Sequence, residues 1–281
     1  YPAGIANCLR RQLRILQSCQ PLDQCLRLPQ AAGKQQQQHV IFNEMLKMID
    51  EAKTTIVLDM FLFNKEVGES KVQQQALTQQ LTDALISKRR QYPEMDIKFI
   101  TDPINSVYGG LAPEHYRQLR QAGIDVIETD LRPLRASNPT WSGFWYLCCQ
   151  DAGNNPEKGW LPNPFGKDPI TLRSYFNLFN FKANHRKTLV VDTAEGWKTL
   201  VTSMNPHDGS SRHSNVALVV TGNTAVDVLK TEQTVAKMSG TELPIVILGE
   251  YEAAKTEPQV QVLTEQAILE DRKSTRLNSS H

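Results

Sequence analysis

One stretch of the chain decides the fold: Asn184-His185-Arg186-Lys187-Thr188-Leu189-Val190-Val191-Asp192. Its run of apolar residues, two of them β-branched, predicts a buried strand. Side chains at positions i and i+2 of a strand share one face. We therefore expect His185 and Lys187 to point into the same space, with Arg186 directed to the opposite side.

A second run, residues 197–204, also has the pattern of a strand and carries two further polar side chains at its end. Ser203 and Asn205 are again separated by two positions. Polar groups that converge where two buried strands finish are held on a rigid scaffold, as a functional site requires. The two runs together predict one site that contains His185, Lys187, Ser203 and Asn205.

These residues resemble the signature of the phospholipase D superfamily, which is HxKxxxxD followed by a GSxN-like element. The branch most similar to this chain is that of cardiolipin synthases and phospholipase D-like enzymes. The resemblance extends from about His39 to Gly249, and Thr202 departs from it where the family commonly has Gly. Its further segments are Arg212–Ala217 and the run Phe42–Leu46 into Thr55–Phe61, similar to the family's opening helix and strand.

The resemblance implies attack on a phosphodiester through a phosphohistidine intermediate on His185. A neutral imidazole can act as the nucleophile, which splits one difficult displacement into two easier steps. Lys187 and the amide of Asn205 can donate to the phosphoryl oxygens, with Ser203 as a weaker helper.

Roles are also predicted for two further residues near His185. The other nitrogen of the nucleophilic imidazole needs an acceptor. Asn215 is the candidate, because the family places a carboxylate or amide near this position. Asp192 lies an odd number of residues from His185, so it faces the opposite side of a regular strand and is interpreted as structural.

Strand-like and helix-like segments alternate along the chain, which predicts an α/β fold with a layered mixed β-sheet flanked by helices. By resemblance this is a phospholipase D-like half-domain. Helices are predicted at 40–51, 71–89, 113–121, 225–238 and 264–270. Strands are predicted at 54–63, 96–101, 124–129, 215–221, 244–248 and 260–263, besides the two runs that carry the site.

Residues 131–181 interrupt this alternation as an aromatic-rich insertion. A structureless segment of this length tends to be functional. One hypothesis is a substrate mouth that meets lipid acyl chains, and the other is a satellite hydrophobic cluster beneath a long loop. The aromatic residues proposed for the mouth are Trp141, Phe144, Trp145, Trp160 and Phe165.

The predicted organisation has four parts. Residues 1–38 form a peripheral N-terminal segment, and residues 39–250 the first phospholipase D-like domain. Residues 251–270 are expected to begin a truncated second domain, and 271–281 resemble a translated sequencing adapter and are left out of the fold. Only one HxK occurs, at His185, whereas two-motif members of the family use two. We therefore expect the site to be completed by a second half in the same chain or by a homodimer.

The composition of the chain limits the classes of partner and cofactor that we expect. The chain has 31 basic and 30 acidic residues. Without residues 271–281 the counts are 28 basic and 29 acidic residues. A near-neutral chain lacks the basic field typical of nucleic-acid-binding domains, so no nucleic acid is expected. No CxxC or HExxH pattern occurs, so neither a metal nor a cofactor is expected.

Five cysteines without a disulfide framework indicate mostly reduced thiols and a cytoplasmic location. No apolar run approaches the roughly 20 residues of a membrane-spanning helix. Residues 8–16 form an amphipathic basic pattern, which suits either an anionic membrane surface or a helix packed on the domain. The expected location is the cytoplasmic face of the membrane, as a peripheral protein.

The function expected from these features is a phosphatidyl transferase or phosphodiesterase acting on phospholipids, with an alcohol or water as acceptor. Two alternatives stay open. A nuclease of the same superfamily would share the motif, and a catalytically inactive membrane-associated adaptor would need no second histidine.

Overall fold

The structure is a computed structural model that describes residues 39–66, 75–211, 213–243 and 260–265. The predicted peripheral segment 1–38, the predicted strand 244–248 and the adapter-like residues 271–281 lie outside the described residues.

Seven strands of the described chain form one mixed sheet. They are β1 (Thr55–Met60), β2 (Asp96–Thr101), β3 (Asp125–Glu128), β4 (Lys187–Thr193), β5 (Gly196–Thr202), β6 (Asn215–Thr221) and β7 (Val260–Glu265). Their order in the sheet is β3-β2-β1-β4-β5-β6-β7. The pairs β1–β2 and β2–β3 are parallel, and the other four neighbouring pairs are antiparallel.

Helices cover both faces of this sheet. They are α1 (Val40–Glu51), α2 (Leu77–Gln91), α3 (Glu114–Gln121), α4 (Pro139–Cys148), α5 (Leu172–Leu178) and α6 (Asn223–Met238). One hydrophobic cluster joins α1, α2 and α3 to the sheet, and a second joins α6 to the opposite face. No described helix is long and apolar enough to cross a membrane.

Strand β1 shows why both faces must be covered. All six of its residues are buried. Ile56, Leu58 and Met60 belong to the first cluster, while Val57 belongs to the second. A continuous apolar run of this kind is typical of a strand packed between two layers. The predicted α/β fold, a layered mixed sheet flanked by helices, is confirmed.

The register of the sheet brings several strand ends to one edge, which we call the site edge. Met60 at the end of β1 pairs with Lys187 at the start of β4 and with Thr101 at the end of β2. Thr202 at the end of β5 pairs with Ala217 near the start of β6. Loops that leave these strands therefore share one end of the domain, where the predicted site residues lie.

Strand β7 differs from the prediction for this part of the chain. Residues 264 and 265 continue the strand where a helix was predicted to begin, so that boundary was wrong. Asn215 pairs with Glu265, which places β7 beside β6 in the same sheet. Pairing with the open edge of β6 supplies the hydrogen bonds that extend the strand. A second domain downstream stays a prediction.

The insertion has regular structure, so the expectation of a structureless segment was wrong. It contains α4, α5, a short 3₁₀ turn at Pro156–Lys158 and an antiparallel bridge between Leu161 and Ile170. Its aromatic side chains pack on one another: the Trp141 ring lies 5.4 to 5.6 Å from the rings of Phe144, Phe176 and Phe179. This packing provides the local core that orders the segment.

The two adjacent cysteines of the insertion also differ from the expectation of reduced thiols. Cys148 and Cys149, at the end of α4, are joined as a disulfide. The other three cysteines lie outside the described residues.

Asp192 joins the end of β4 to the start of β1. Its carboxylate accepts hydrogen bonds from the backbone N–H of Thr54, at 3.0 Å, and of Thr55, at 2.7 Å. The Thr54 hydroxyl donates a third bond, at 2.7 Å. These contacts close one end of the β1–β4 pair.

Replacing Asp192 by Ala should lower the free energy of unfolding by about 2 kcal/mol, because the backbone donors of Thr54 and Thr55 lose a charged acceptor. Urea denaturation of the two proteins measures the difference. Asp227→Ala is the matched control, since that carboxylate is 70% exposed and should change stability by less than about 0.5 kcal/mol. Equal losses in both variants would contradict this role of Asp192.

Candidate active site

His185 and Lys187 are brought together at the start of β4. The Lys187 Nζ lies 3.3 Å from His185 Nδ1 and 3.1 Å from the backbone oxygen of the same residue. The His185 side chain is exposed, whereas Lys187 is only 6% exposed. Arg186 between them forms its ion pairs on the other face of the sheet. The structure thus shows the arrangement expected from the spacing of these three residues.

Phe61, which follows β1, supports both groups. Its ring centroid lies 4.3 Å from that of His185, and the Lys187 Nζ lies 5.0 Å from the Phe61 centroid. The latter distance is within cation–π range. The Phe61 N–H also donates to the backbone oxygen of Arg186 at 3.0 Å, which fixes the ring beside the motif. The sequence analysis assigned Phe61 no role in the site.

The electrostatic environment favours a neutral imidazole. Desolvation lowers the pKa of His185, and the neighbouring charge of Lys187 lowers it further. Burial also lowers the pKa of Lys187, while the charge of Asp59 acts in the opposite direction. A neutral imidazole keeps a lone pair on one ring nitrogen, which a nucleophile requires.

Ser203 and Asn205 lie just beyond the end of β5, with buried Met204 between them. The Asn205 side-chain oxygen accepts a hydrogen bond from the Leu62 N–H at 3.1 Å, which joins it to the end of β1. Its amide nitrogen has no hydrogen-bond acceptor among the described residues. The side-chain oxygen of Asn205 is therefore fixed by Leu62, and its amide nitrogen can donate to a ligand.

Ser203 instead faces β6. Its hydroxyl accepts from the Val216 N–H at 3.0 Å and donates to the side-chain oxygen of Asn215 at 3.2 Å. The Asn215 amide nitrogen donates to the backbone oxygen of His213 at 3.1 Å. Ser203 is thus engaged with β6 and would have to release Asn215 before its hydroxyl could donate to a substrate.

No hydrogen bond joins Asn215 to His185 among the described residues. The hydrogen bonds of Asn215 go to Ser203 and His213. Asn215 begins β6, and β5 separates that strand from β4. The group beside Nδ1 of His185 is the donor Lys187. That Asn215 holds the tautomer of His185 stays a prediction.

A buried polar network on the opposite face anchors the same segment, and we call it the anchor network. Asn184 donates to both carboxylate oxygens of Asp59, at 2.8 and 2.9 Å. Arg186 forms an ion pair with Glu232 of α6, and its Nε lies 3.5 Å from Asp59. Thr188 donates to Glu232 at 2.7 Å. Alternate residues of the motif therefore face the site and the anchor network.

Sequence reasoning missed the anchor network, although one signal for it was present. Asp59 is a single carboxylate within an otherwise apolar buried strand, and such a group requires a partner. Nothing in the local pattern of α6 identified Glu232 as that partner, because residues 59 and 232 meet only through the packing of α6 on the sheet.

Asp59 holds its proton more tightly than an ordinary aspartic acid. Burial raises its pKa to about 8, and the charge of Glu232 contributes to the shift in the same direction. Asp59 and Glu232 are both completely buried, and Arg186 supplies one positive charge for the two carboxyl groups. With Asp59 protonated near neutral pH, the three groups together are electrically neutral.

The five aromatic residues predicted to form a mouth divide into two groups. Phe144, Trp160 and Phe165 are exposed. Trp141 is half-buried and donates its indole N–H to the backbone oxygen of Phe176 at 2.8 Å, and Trp145 is only 4% exposed. The insertion therefore contains both a packed cluster and exposed apolar side chains.

Comparison with known proteins assigns no family. No protein-family model matches the chain, and no curated protein matches it. A search of solved structures gives a match to polyphosphate kinase from Porphyromonas gingivalis, at a TM-score of 0.35 and 11% identity. The match covers 74% of this chain and 25% of the kinase, so the chain spans about a quarter of that protein.

Within residues 39–66, 75–211, 213–243 and 260–265, no group of three His, Cys, Asp or Glu side chains is arranged to hold a metal ion. The positive charge at the site edge comes from Lys187.

The raised pKa of Asp59 makes the stability of the fold depend on pH. A carboxyl group with a folded-state pKa of about 8 and an unfolded one of about 3.9 stabilises the fold fully below about pH 4. That contribution is lost progressively as pH rises from about 4 to about 8, because the unfolded chain releases the proton more readily. We expect the part of the free energy of unfolding that is due to Asp59 to fall over this range, as measured by urea denaturation.

Asp59→Asn removes the titrating group and keeps a side chain of the same shape, so its free energy of unfolding should fall less steeply over this range. Asp227→Asn, a change at an exposed carboxylate, should keep the slope of the unmodified protein. An unaltered slope in Asp59→Asn would contradict the protonated state assigned to Asp59.

Proposed function

We propose that this chain carries a phosphoryl-transfer half-site that cleaves phosphodiesters through a phosphohistidine. One observation carries the proposal: the His185 imidazole and the Lys187 ammonium lie 3.3 Å apart at one strand terminus, both in contact with Phe61. Burial lowers the pKa of both groups, which favours the neutral imidazole. Phosphoryl transfer depends chiefly on positioning and on charge stabilisation, and these two groups supply a nucleophile and a cation.

The first chemical step uses both groups. Lys187 and the free amide end of Asn205 donate to the non-bridging oxygens of the substrate. A ring nitrogen of His185 attacks phosphorus, so that a nitrogen–phosphorus bond forms as the ester oxygen leaves. In the second step, water or an alcohol attacks the phosphohistidine and returns the lone pair to the imidazole.

The departing oxygen requires a proton, and two other histidines, His115 and His207, are poorly placed to provide it. His115 is buried and bonded to the backbone oxygen of Phe63 at 2.8 Å, and burial lowers its pKa to about 4. His207 lies 3.1 Å from the Ser210 hydroxyl, and burial lowers its pKa also. We propose that the general acid comes from a second half in the same chain or from a second copy of this one.

The exposed apolar residues of the insertion favour a phospholipid as the substrate. Exposed aromatic and aliphatic side chains are suited to the boundary between headgroups and acyl chains. They are Phe144, Leu147, Trp160, Phe165, Leu172, Phe179 and Phe181. We therefore propose a phosphatidyl transferase or phospholipase D-like activity at the membrane surface, in a protein peripheral to the cytoplasmic face.

His185→Ala should abolish turnover, and Lys187→Met should lower kcat by roughly 10² to 10³, as loss of a charge-stabilising donor does elsewhere. The assay incubates the protein with vesicles of phosphatidylglycerol and measures the lipid products by mass spectrometry. Lys230→Met, a change at a lysine that is 51% exposed on α6, is the control and should keep full activity.

Turnover by His185→Ala at the unmodified rate would overturn the proposed nucleophile. Single-stranded DNA offered in place of the vesicles tests the nuclease alternative, since the proposed function requires cleavage of lipid alone. Absence of activity towards both substrates, in a folded protein supplied with any second half, would favour the inactive adaptor.

A further inference from the structure

A cavity of about 330 Å³ lies at the same end of the sheet as the candidate active site. Its walls come from the loops after β2 and β3 and from the insertion. It therefore lies at the site edge, near the β3 side of the sheet. The volume is at the lower end of the range found for small-molecule sites. The lining residues that matter here are Tyr108, Thr129, Arg132, Trp145, Tyr146 and Lys182.

Lys182 is the unusual member of this lining because it is only 8% exposed. Its Nζ donates to the backbone oxygen of Arg132, at 2.9 Å, and to the Tyr146 hydroxyl. It also lies 5.0 Å from the centroid of the Tyr146 ring. All of these partners are neutral, and no carboxylate of the described residues forms an ion pair with Lys182.

The charged residues of the lining carry a net positive charge. Asp130 is the carboxylate of the lining, and it is paired with Arg132, whose Nη2 lies 2.7 Å from its Oδ2. The charge of Lys182 also acts on Asp130, so this carboxylate interacts with two cations. Outside the lining, Arg173 lies over the Trp145 ring, and Asp151 acts on both Arg132 and Arg173. The lining itself holds two positive charges and one negative charge, so one positive charge remains.

A buried ammonium that forms no ion pair is costly, because water no longer solvates the charge. A ligand with the opposite charge would offset this cost, and the cavity beside Lys182 gives such a ligand a place to bind. Trp145 and Tyr146 add aromatic walls that can cover the carbon skeleton of a ligand. The chemistry of the cavity therefore suits a small molecule with an anionic end.

We propose that this cavity binds an anionic group, a phosphate or a carboxylate, on the polar part of the substrate. The proposal rests on the proposed function and names a substrate class for it: a phosphodiester that carries a second anionic group beyond the phosphorus under attack. The two places are close in the chain, since Lys182 precedes His185 by three residues. Asn184 of the anchor network bonds at 2.9 Å to the Thr129 hydroxyl in the cavity wall.

Anion titrations test the cavity without any assay of activity. Isothermal titration calorimetry measures the binding of inorganic phosphate and, separately, of acetate to the Lys187→Met variant, in which the proposed catalytic cation is absent. We expect this variant to keep one anion site. Adding Lys182→Met should weaken that binding about tenfold or more, which is a loss of at least about 1.4 kcal/mol.

Lys230→Met in the same background is the matched control and should leave the affinity unchanged. Binding of phosphate but not acetate would identify a phosphate group as the second anion, and the reverse result a carboxylate. Equal affinities with and without Lys182→Met would overturn the proposal. If that variant fails to fold, Arg132→Gln replaces it, since this side chain is 65% exposed and also faces the cavity.

Turnover of soluble diesters separates this proposal from the proposed function. Lys182→Met should lower kcat/KM for glycerophosphoserine, which has a carboxylate, more than for glycerophosphoethanolamine, which has none. If His185→Ala abolishes both reactions and Lys182→Met affects both equally, the proposed function stands and the cavity proposal fails. If neither diester is cleaved, the anion titrations still decide whether the cavity binds an anion.

Discussion

The buried ion pair between Arg186 and Glu232, together with Asp59, is the constraint on which the candidate site depends. It joins the first residues of β4 to α6 on one side and to β1 on the other. Because strand side chains alternate between faces, anchoring residues 184, 186 and 188 leaves His185 and Lys187 to face the site. His185 and Lys187 are thus positioned by their sequence neighbours. Asn184 and Thr188 are buried, Arg186 is half-buried, and all three are bonded.

Two buried lysines distinguish this end of the sheet. Lys187 and Lys182 are both buried, and neither forms an ion pair with a carboxylate of the described residues. In such surroundings the electrostatic attraction to an anion is stronger than in water. Two buried cations near one end of the sheet are suited to a ligand with two anionic groups.

The insertion has features of both hypotheses, a satellite hydrophobic cluster and a surface of exposed aromatic side chains. Trp141 is the centre of an aromatic cluster, and the packing of that cluster orders α4 and α5. Trp145 lies beneath the surface and forms a wall of the cavity. Phe144 and Trp160 are exposed on the same segment. A satellite core therefore supports the cavity, and the exposed side chains are available for contact with a membrane.

Sequence alone determined the α/β class, the limits of α1 and β2, and the shared direction of His185 and Lys187. These features follow from backbone geometry over a few residues, where the period of two or 3.6 relates position to face. Only the tertiary structure decided that Asn215 bonds to Ser203, that β7 joins the first sheet, and that Glu232 lies under Arg186. Strand order and helix packing set those distances, because they depend on contacts between residues far apart in the chain. The lack of an ion pair at Lys182 among the described residues belongs to the same group, since it is visible only when every neighbour of the ammonium is in place.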